Sequence, residues 1–363
     1  MSFAELLLIL GLVSLAFAIG YVMGRASRKA SPIVVPRSES LPPARRPAAP
    51  PPTTAPAGHP LPSDHEASPL PGPAGTVPRL EAARSWGYQL QDLNVKQAAA
   101  SSFDVLVVDY ARDGTDDTAL EPADLARLQT RPDGSRRIVL AYLSIGEAES
   151  YRFYWRKEWS RKRPPWLLRE NPDWDQNFAV SFWDPDWQAL IYGGPEAYLD
   201  RIIAQGFDGI YLDKCDVTDD LRRREKKAVA TRKDLDGDMI AFVRQLAAYA
   251  RRQRPGFLIV MQNAEPLLER AELRAAIDAV AKEELLFGLD AAEKPNDADE
   301  VSWSRQRLDL MRRDGKPVFL VEYLDNAGKI AKAVSTASEL GYVLYVSDKS
   351  RELDKLRDAP LVA

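Results

Sequence analysis

Acidic residues follow or end several short apolar segments of this sequence. The stretch GFDGIYLDKCDV, residues 206–217, ends an apolar run in Asp213 and continues through Cys215 to Asp216. Buried strands rarely contain acids, because an unpaired charge in an apolar interior is costly. Two carboxyls that converge at strand ends can act as nucleophile and general acid/base, or can bind a divalent cation.

Several other catalytic chemistries lack the residues they need. The only histidines are His59 and His65, so residues after 78 offer no base to a Ser-His-Asp or Cys-His hydrolase and no histidine to a zinc site. Acid–base chemistry then depends on Asp, Glu, Lys or Tyr. The single cysteine, Cys215, excludes an intramolecular disulfide, and we interpret it as structural. A net charge of −4 without a polybasic tail gives no reason to propose nucleic-acid binding.

An uncharged apolar segment, LLLILGLVSLAFAIGYVM, occupies residues 6–23. At about 1.5 Å per residue it nearly spans a bilayer core. No basic residue precedes it and no cleavage site is clear, so residues 1–30 are predicted to be an uncleaved membrane anchor with a basic flank. That flank, Arg25, Arg28 and Lys29, follows the apolar segment, and the positive-inside rule would keep the rest of the chain in the cytoplasm.

The composition of the sequence changes twice after residue 30. Residues 31–78 contain 15 of the 27 prolines and are predicted to be a disordered linker. Residues 79–363 are predicted to be a single catalytic domain, in which short apolar runs alternate with helix-like segments such as 187–204, 235–254 and 300–314. Alternating strands and helices predict a parallel sheet.

Nine apolar runs are candidate strands of this sheet. They are WGYQL, VLVVDY, IVLAYLSIG, FAVSFWD, GIYLD, FLIVMQN, AVAKEELLF, VFLVEYL and YVLYVS. A parallel crossover usually needs a helix, and little helical periodicity precedes FAVSFWD, so we interpret that run as part of a long loop. The remaining eight strands predict a (β/α)8 TIM barrel. An open doubly wound sheet is the alternative, although no glycine-rich nucleotide fingerprint follows the first strand.

The C-terminal strand ends of such a barrel form its active-site face. Acids and an amide fall at or near these ends: Asp109, Glu147, Glu149, Asp213, Asn263, Glu265, Glu283 and Glu322. Any one of them also fits a surface acid or a helix cap, but repetition at several strands favours a shared site. Tyrosines accompany them: Tyr88, Tyr142, Tyr211 and Tyr323. Aromatic faces beside carboxylates suit sugar rings, while packing in the barrel core is the other interpretation.

Together these stretches resemble glycoside hydrolase family 114, the endo-α-1,4-polygalactosaminidase-like barrels. The matching segments are WGYQLQ, VLVVDY, AYLSIGEAESYRFYW, FWDPDWQ, GFDGIYLDKCD, QNAEPLL, KEELLFG and VEYL, in the family's order over about residues 85–348. The resemblance implies hydrolysis of α-linked galactosamine-type exopolysaccharide. It also implies an aspartate nucleophile after strand four, here Asp213, and a glutamate acid/base on strand six. Neighbouring strand residues point to opposite faces, so only Glu283 or Glu284 can face the mouth, and the family match chooses Glu283.

A retaining glycosidase needs two carboxyls about 5–5.5 Å apart, one ionised and one protonated. Repulsion and burial push their pKa values apart, and no metal or organic cofactor is required. Surplus polar side chains are predicted to bind the substrate: Asp109, Tyr142, Asp216, Asn263, Glu322 and Tyr323. The acids among them suit a cationic amino sugar.

Two other functions stay open at this point. One is a catalytically silent polysaccharide-binding barrel. The other is a Mg²⁺-dependent phosphodiesterase, in which clustered acids bind the metal and Lys214 and Lys282 contact phosphate. Polymeric amino sugars are exported, so we expect a membrane-anchored protein whose catalytic domain lies in the periplasm or outside the cell, against the charges that follow the anchor.

Overall fold

The structure is a computed structural model, and it describes residues 79–358. The predicted anchor, residues 1–30, and the predicted linker, residues 31–78, lie outside the described residues. Between residues 79 and 358, no helix is both long and apolar enough to cross a membrane.

The described part of the chain alternates strands and helices. The strands are β1 (Trp86–Gln89), β2 (Val105–Val108), β3 (Ile138–Ser144), β4 (Glu147–Glu149), β5 (Leu167–Glu170), β6 (Asn177–Val180), β7 (Gly209–Asp213), β8 (Leu258–Gln262), β9 (Ala279–Glu283), β10 (Val318–Tyr323) and β11 (Val343–Ser347). The α-helices are α1 (Val95–Ala99), α2 (Pro122–Leu128), α3 (Pro185–Ile191), α4 (Tyr198–Gln205), α5 (Val217–Arg224), α6 (Lys226–Val229), α7 (Leu235–Gln253), α8 (Ala271–Ala276), α9 (Ala298–Arg313) and α10 (Ala327–Leu340). Short 3₁₀ turns lie at Leu80–Ala82, Asp116–Thr118, Lys157–Ser160 and Glu265–Glu269.

Eight of these strands form one parallel sheet, in the order β1-β2-β3-β7-β8-β9-β10-β11. The two ends of the sheet meet. The indole N–H of Trp86 on β1 donates to the backbone oxygens of Leu320 on β10 and Val343 on β11, at 3.1 and 3.0 Å. This is the architecture of a (β/α)8 barrel, so the predicted barrel is confirmed and the open doubly wound alternative is wrong.

The helix boundaries follow from local sequence. α3 begins with Pro185 at its first position and with Asp184 as its cap, and α4 ends at Gly206, whose φ of 102° is unfavourable for other residues. The helix predicted over residues 187–204 is therefore two helices. They are separated at Gly193, Gly194 and Pro195, because a residue before proline disfavours the helical conformation.

A second, antiparallel sheet of three strands, in the order β4-β6-β5, is inserted between β3 and β7. FAVSFWD contributes β6 to it. The prediction that this run lies outside the barrel is confirmed, but the run pairs as a strand and is not simply a loop. Because only Ile145 and Gly146 separate Ser144 from Glu147, the insertion is attached directly to the C-terminal end of β3.

The barrel interior contains a cluster of aromatic rings. Trp86 lies 5.9 Å from Tyr88, 6.1 Å from Tyr211 and 5.4 Å from Phe319, measured between ring centroids. Tyr88 and Tyr211 are buried, so their rings pack in the core and present no face to a sugar. Tyr211 lies two residues before Asp213, and the two side chains therefore share the interior face of β7.

Candidate active site

Asp213 is the last residue of β7, and its carboxylate is held by two donors. The Tyr142 hydroxyl on β3 donates to Oδ2 at 2.6 Å, and the backbone N–H of Lys214 donates to Oδ1 at 2.7 Å. Tyr142 and Tyr211 are partners in the ladder between β3 and β7, which places the Tyr142 ring beside the strand that carries Asp213. These two donors fix the direction of the Asp213 carboxylate.

Glu283 is the last residue of β9 and has different surroundings. Its Oε2 accepts from Gln262 Nε2 at 2.5 Å and from Asn263 Nδ2 at 3.2 Å, and its Oε1 accepts from the hydroxyl of Tyr323. The side chain keeps some surface open to the barrel mouth, but the surrounding protein displaces most of the water that would stabilise its charge. This burial, together with the charge of Asp213, raises the pKa of Glu283 to about 7, although Tyr323, Asn263 and Lys282 act to lower it.

Only β8 separates the strands that carry these two carboxyls. Adjacent strands are about 4.8 Å apart, so β7 and β9 are about 10 Å apart, and two acidic side chains can converge across that gap. Asp213, which lies against two donors, and Glu283, whose pKa is raised to about 7, can therefore approach each other across β8.

Several residues that follow the site's strands have a left-handed backbone. They are Lys214 after β7, Asn263 and Ala264 after β8, and Glu284 after β9, with φ between 53° and 61°. This conformation is uncommon for residues other than glycine and is concentrated at functional sites. It also corrects the alternation argument for Glu284. The strand has already ended, and the Glu284 carboxylate is paired with Arg351 near the C-terminus.

Each lysine beside a catalytic candidate is paired with a glutamate. Lys214 Nζ lies 3.5 Å from Glu147, and Lys282 Nζ lies 3.2 Å from Glu265. These ion pairs occupy the two cations that a phosphodiesterase would use for phosphate. Among residues 79–358, no group of three or more His, Cys, Asp or Glu side chains is placed to hold a metal ion.

Asp109, predicted to bind substrate, is buried against an arginine. Arg152 Nη1 lies 2.8 Å from Asp109, and Arg152 Nε lies 2.6 Å from Glu149. Burial and the charge of Glu149 raise the pKa of Asp109 to about 6, although Arg152 opposes them. The guanidinium also lies 6.0 Å from the ring centroid of Tyr142, so this cluster supports the tyrosine that contacts Asp213.

The other predicted substrate residues occupy different environments. The Asp216 side chain is exposed to solvent, and its pKa is raised by the surrounding protein and by Asp213, against the effect of Lys214. Glu322 is fully buried and accepts backbone N–H groups from Leu286 and Phe287 at 2.8 and 3.2 Å. Glu322 therefore holds the loop after β9, while Tyr142, Asn263 and Tyr323 contact the two carboxyls directly.

Two residues at the site were not predicted from the sequence. Gln262 contacts Glu283, and Arg152 forms the ion pairs behind Tyr142. Gln262 immediately precedes the predicted Asn263, and Arg152 interrupts the aromatic run YRFYW, but neither signal specifies a role. Burial, together with the charges of Asp216 and Asp213, raises the pKa of the Cys215 thiol and makes it a poor nucleophile.

A sequence profile of glycoside-hydrolase family GH114 matches residues 67–360. The chain belongs to family GH114. The resemblance drawn from its motifs is confirmed, and the chain is a glycoside hydrolase. An uncharacterized protein of Deinococcus radiodurans is 38% identical over 288 residues, which cover 78% of this chain and 86% of the relative. One of Methanocaldococcus jannaschii is 35% identical over 282 residues, which cover 75% and 77%.

Two solved structures share the fold of this GH114 chain at lower identity. The crystal structure of Aspergillus fumigatus Ega3 in complex with galactosamine is 16% identical, with a TM-score of 0.53 over 81% of this chain and 100% of that one. The glycoside hydrolase domain of PelA from Pseudomonas aeruginosa is 22% identical, with a TM-score of 0.53 over 76% and 97%. At these identities the likeness concerns the fold alone.

Proposed function

We propose that this chain cleaves an α-linked galactosamine-type exopolysaccharide by a retaining mechanism, with Asp213 as nucleophile and Glu283 as acid/base. The observation that carries the proposal is the contrast between two neighbouring carboxyls. Asp213 lies against O–H and N–H donors, while burial and the charge of Asp213 raise the pKa of Glu283 to about 7. A retaining glycosidase needs one ionised and one protonated carboxyl.

In the first step, Asp213 attacks the anomeric carbon and forms a glycosyl ester. The bond from that carbon to the leaving saccharide breaks, and Glu283 gives its proton to the departing oxygen. In the second step, Glu283 takes a proton from water, whose oxygen attacks the same carbon and displaces Asp213. Both carboxyls return to their starting states. Tyr142 and the Lys214 N–H keep Asp213 aimed throughout, which lowers the cost of reaching the reactive geometry.

The preference for an amino sugar is supported by charge. Asp216 is exposed at the C-terminal end of β7. The nearby lysines, Lys214 and Lys282, are paired with Glu147 and Glu265, so neither is free to neutralise an added carboxylate at the barrel mouth. A protonated amino group is attracted to such a surface. The fold is shared with a protein whose structure contains galactosamine.

We further infer that the uncharged segment at residues 6–23 tethers the enzyme to a membrane, with the barrel in the periplasm or outside the cell. An exported polymer would be met there and not in the cytoplasm. A reporter fused after residue 363 should be active outside the cytoplasm. Activity in the cytoplasm instead would uphold the positive-inside interpretation of Arg25, Arg28 and Lys29.

The direct test of the activity is product analysis. The purified full-length chain, incubated with an α-1,4-linked galactosamine oligomer, should release shorter oligomers. Proton NMR at early times should show the first-formed reducing end in the α configuration, because two inversions retain it. A β product would exclude the retaining mechanism. Binding without any release of products would favour the silent polysaccharide-binding barrel.

A further inference from the structure

A chain of two buried side chains leads from the barrel interior to Glu283. The Tyr88 hydroxyl on β1 donates to Gln262 Oε1 at 3.2 Å, and Gln262 Nε2 on β8 donates to Glu283 Oε2 at 2.5 Å. Tyr88 is 2% exposed and Gln262 is 3% exposed. Neither group can exchange its partner for bulk water, so the arrangement of donors and acceptors along this chain is constrained.

Asn263 supplies a second amide donor to the same oxygen, and its orientation is independently determined. Its Nδ2 lies 3.2 Å from Glu283 Oε2, while its Oδ1 accepts from the Glu283 N–H at 3.2 Å and from Lys282 Nζ at 3.4 Å. A flipped Asn263 amide would direct N–H groups at two other donors. Its Nδ2 therefore stays on Oε2.

The orientation of Gln262 depends on Tyr88. Burial raises the pKa of the Tyr88 hydroxyl well above its usual range, with further contributions from Tyr211 and Glu283, so the hydroxyl keeps its proton and needs an acceptor. Gln262 Oε1 is that acceptor. If the amide flipped, the Tyr88 proton would face N–H groups and Gln262 Oε1 would face Glu283 Oε2. Both contacts are unfavourable while Glu283 is ionised.

We propose that Tyr88 and Gln262 are positioning residues that confine the catalytic proton of Glu283 to Oε1. This inference rests on the proposed function. An Oε2 that accepts from two amide N–H groups leaves no acceptor for a proton of its own. Oε1 faces the Tyr323 hydroxyl, which can accept from a protonated carboxyl and donate to a carboxylate.

The consequence for the reaction is a defined path for one proton. It leaves Glu283 Oε1 for the glycosidic oxygen as the bond from that oxygen to the anomeric carbon breaks and the bond to Asp213 forms. It returns to the same oxygen from water in the second step. Because Oε2 is not used, the acid/base does not need to rotate between the two steps.

The variant Gln262→Met in the full-length chain tests this directly, because methionine has similar volume and no N–H. Loss of a donor to the ionised carboxylate should raise the pKa of Glu283 and move the alkaline limb of kcat/KM upward by about one pH unit. We also expect kcat to fall about 2-fold, since the proton then divides between the two oxygens and only Oε1 is productive. Tyr88→Phe should act in the same direction by less, because Gln262 keeps its donor but loses its fixed orientation.

Gln129→Met is the matched control. Gln129 is 2% exposed, and its Nε2 donates to Gly206 O at 2.9 Å and to Asp208 Oδ2 at 3.4 Å. It is therefore another buried glutamine that donates to a carboxylate, but Asp208 precedes β7, at the opposite end of that strand from Asp213. This control should lower the melting temperature and leave the alkaline limb in place.

The same titration can be measured without substrate, from the carboxyl carbon resonance of Glu283 in ¹³C-labelled protein, assigned by its loss in Glu283→Gln. Groups from several elements influence this titration: Asp213, Tyr211 and Lys214 at the end of β7, Lys282 on β9, Tyr323 on β10 and Tyr88 on β1. All of them remain in Gln262→Met, so a shift isolates the lost donor.

A folded Gln262→Met protein that titrates like the wild type, by rate and by resonance, overturns the inference. If Gln262→Met does not fold, Tyr88→Phe replaces it: a smaller upward shift of the Glu283 titration is expected, and a wild-type titration overturns the inference. If the wild-type chain cleaves no amino-sugar polymer, the proposed function fails, while the resonance still decides whether Gln262 and Tyr88 control the proton on Glu283.

Discussion

Asp213 and Glu283 are both carboxyls at strand ends, and their neighbours give them different properties. A hydroxyl and a backbone N–H aim Asp213, whereas Glu283 lies in a poorly hydrated position near the charge of Asp213. The placement of both carboxyls at strand ends could be predicted from the sequence. The roles of Gln262 and Arg152 could not be, because Gln262 contacts Glu283 and Arg152 contacts Asp109 only after separate segments of the chain have folded together.

Glu283→Gln is expected to stabilise the fold in a pH-dependent manner. The pKa of Glu283 is about 7 in the folded protein and about 4.5 when unfolded, so the wild type loses stability as pH rises between these values. The variant avoids this loss. Its free energy of unfolding should exceed that of the wild type by about 1–2 kcal/mol above pH 7, after allowance for partial exposure.

Urea unfolding at several pH values measures this difference. It should grow from pH 4.5 to 7 and then become constant. The exposed Glu352→Gln is the control and should show no such trend. A difference that does not change with pH would mean that Glu283 is well hydrated in the folded protein.

At the scale of elements, the loop after β3 must pass very close to the loop after β7. A β-carbon on Gly146 would lie 2.2 Å from the backbone oxygen of Lys214, well inside contact distance. Lys214 supplies the N–H that holds Asp213. The glycine in the sequence SIGEAE therefore allows the approach that positions the proposed nucleophile.

Gly146→Ala should consequently displace the backbone around Lys214. We expect a loss of about 1–3 kcal/mol in stability, typical of overpacking, and at least about a 10-fold loss in kcat/KM. Gly194→Ala is the matched control, because its β-carbon would have no heavy atom within 4 Å. If Gly146→Ala retains wild-type activity, the close approach is not needed for catalysis.

The eight barrel strands were predictable because each is a local apolar run with its own turn signals. The sheet of β4, β5 and β6 was not predicted, because its strands are short and two of them are rich in polar residues such as Glu147 and Glu170. The break between α3 and α4 was also missed, although Gly193, Gly194 and Pro195 give a local reason for it.

At the scale of the whole molecule, both ends of the described region are anchored in the barrel. Leu80 is 2% exposed near the start, and Leu353 is 7% exposed near the end. Gln89 Nε2 donates to the backbone oxygen of Asp354 at 2.9 Å, which connects the end of β1 to the C-terminal segment. Both ends of the described region are therefore held by contacts within the barrel domain itself.

Deletion of residues 1–78 should therefore leave a soluble protein that unfolds in one cooperative transition and retains the activity of the full-length chain. Calorimetry and a hydrolysis assay measure both properties. An insoluble fragment, or a broad transition without a clear midpoint, would mean that the domain boundary at residue 79 is wrong.

The central claim is that Asp213 and Glu283 share the chemistry, and turnover of their neutral variants tests it most directly. Asp213→Asn removes the nucleophile and Glu283→Gln removes the acid/base, so each should lower kcat by at least about 10²–10⁴-fold on a confirmed amino-sugar polymer. Glu284→Gln, whose carboxylate is paired with Arg351, should retain most activity. Normal turnover by both Asp213→Asn and Glu283→Gln, or loss of activity in Glu284→Gln alone, would contradict the mechanism.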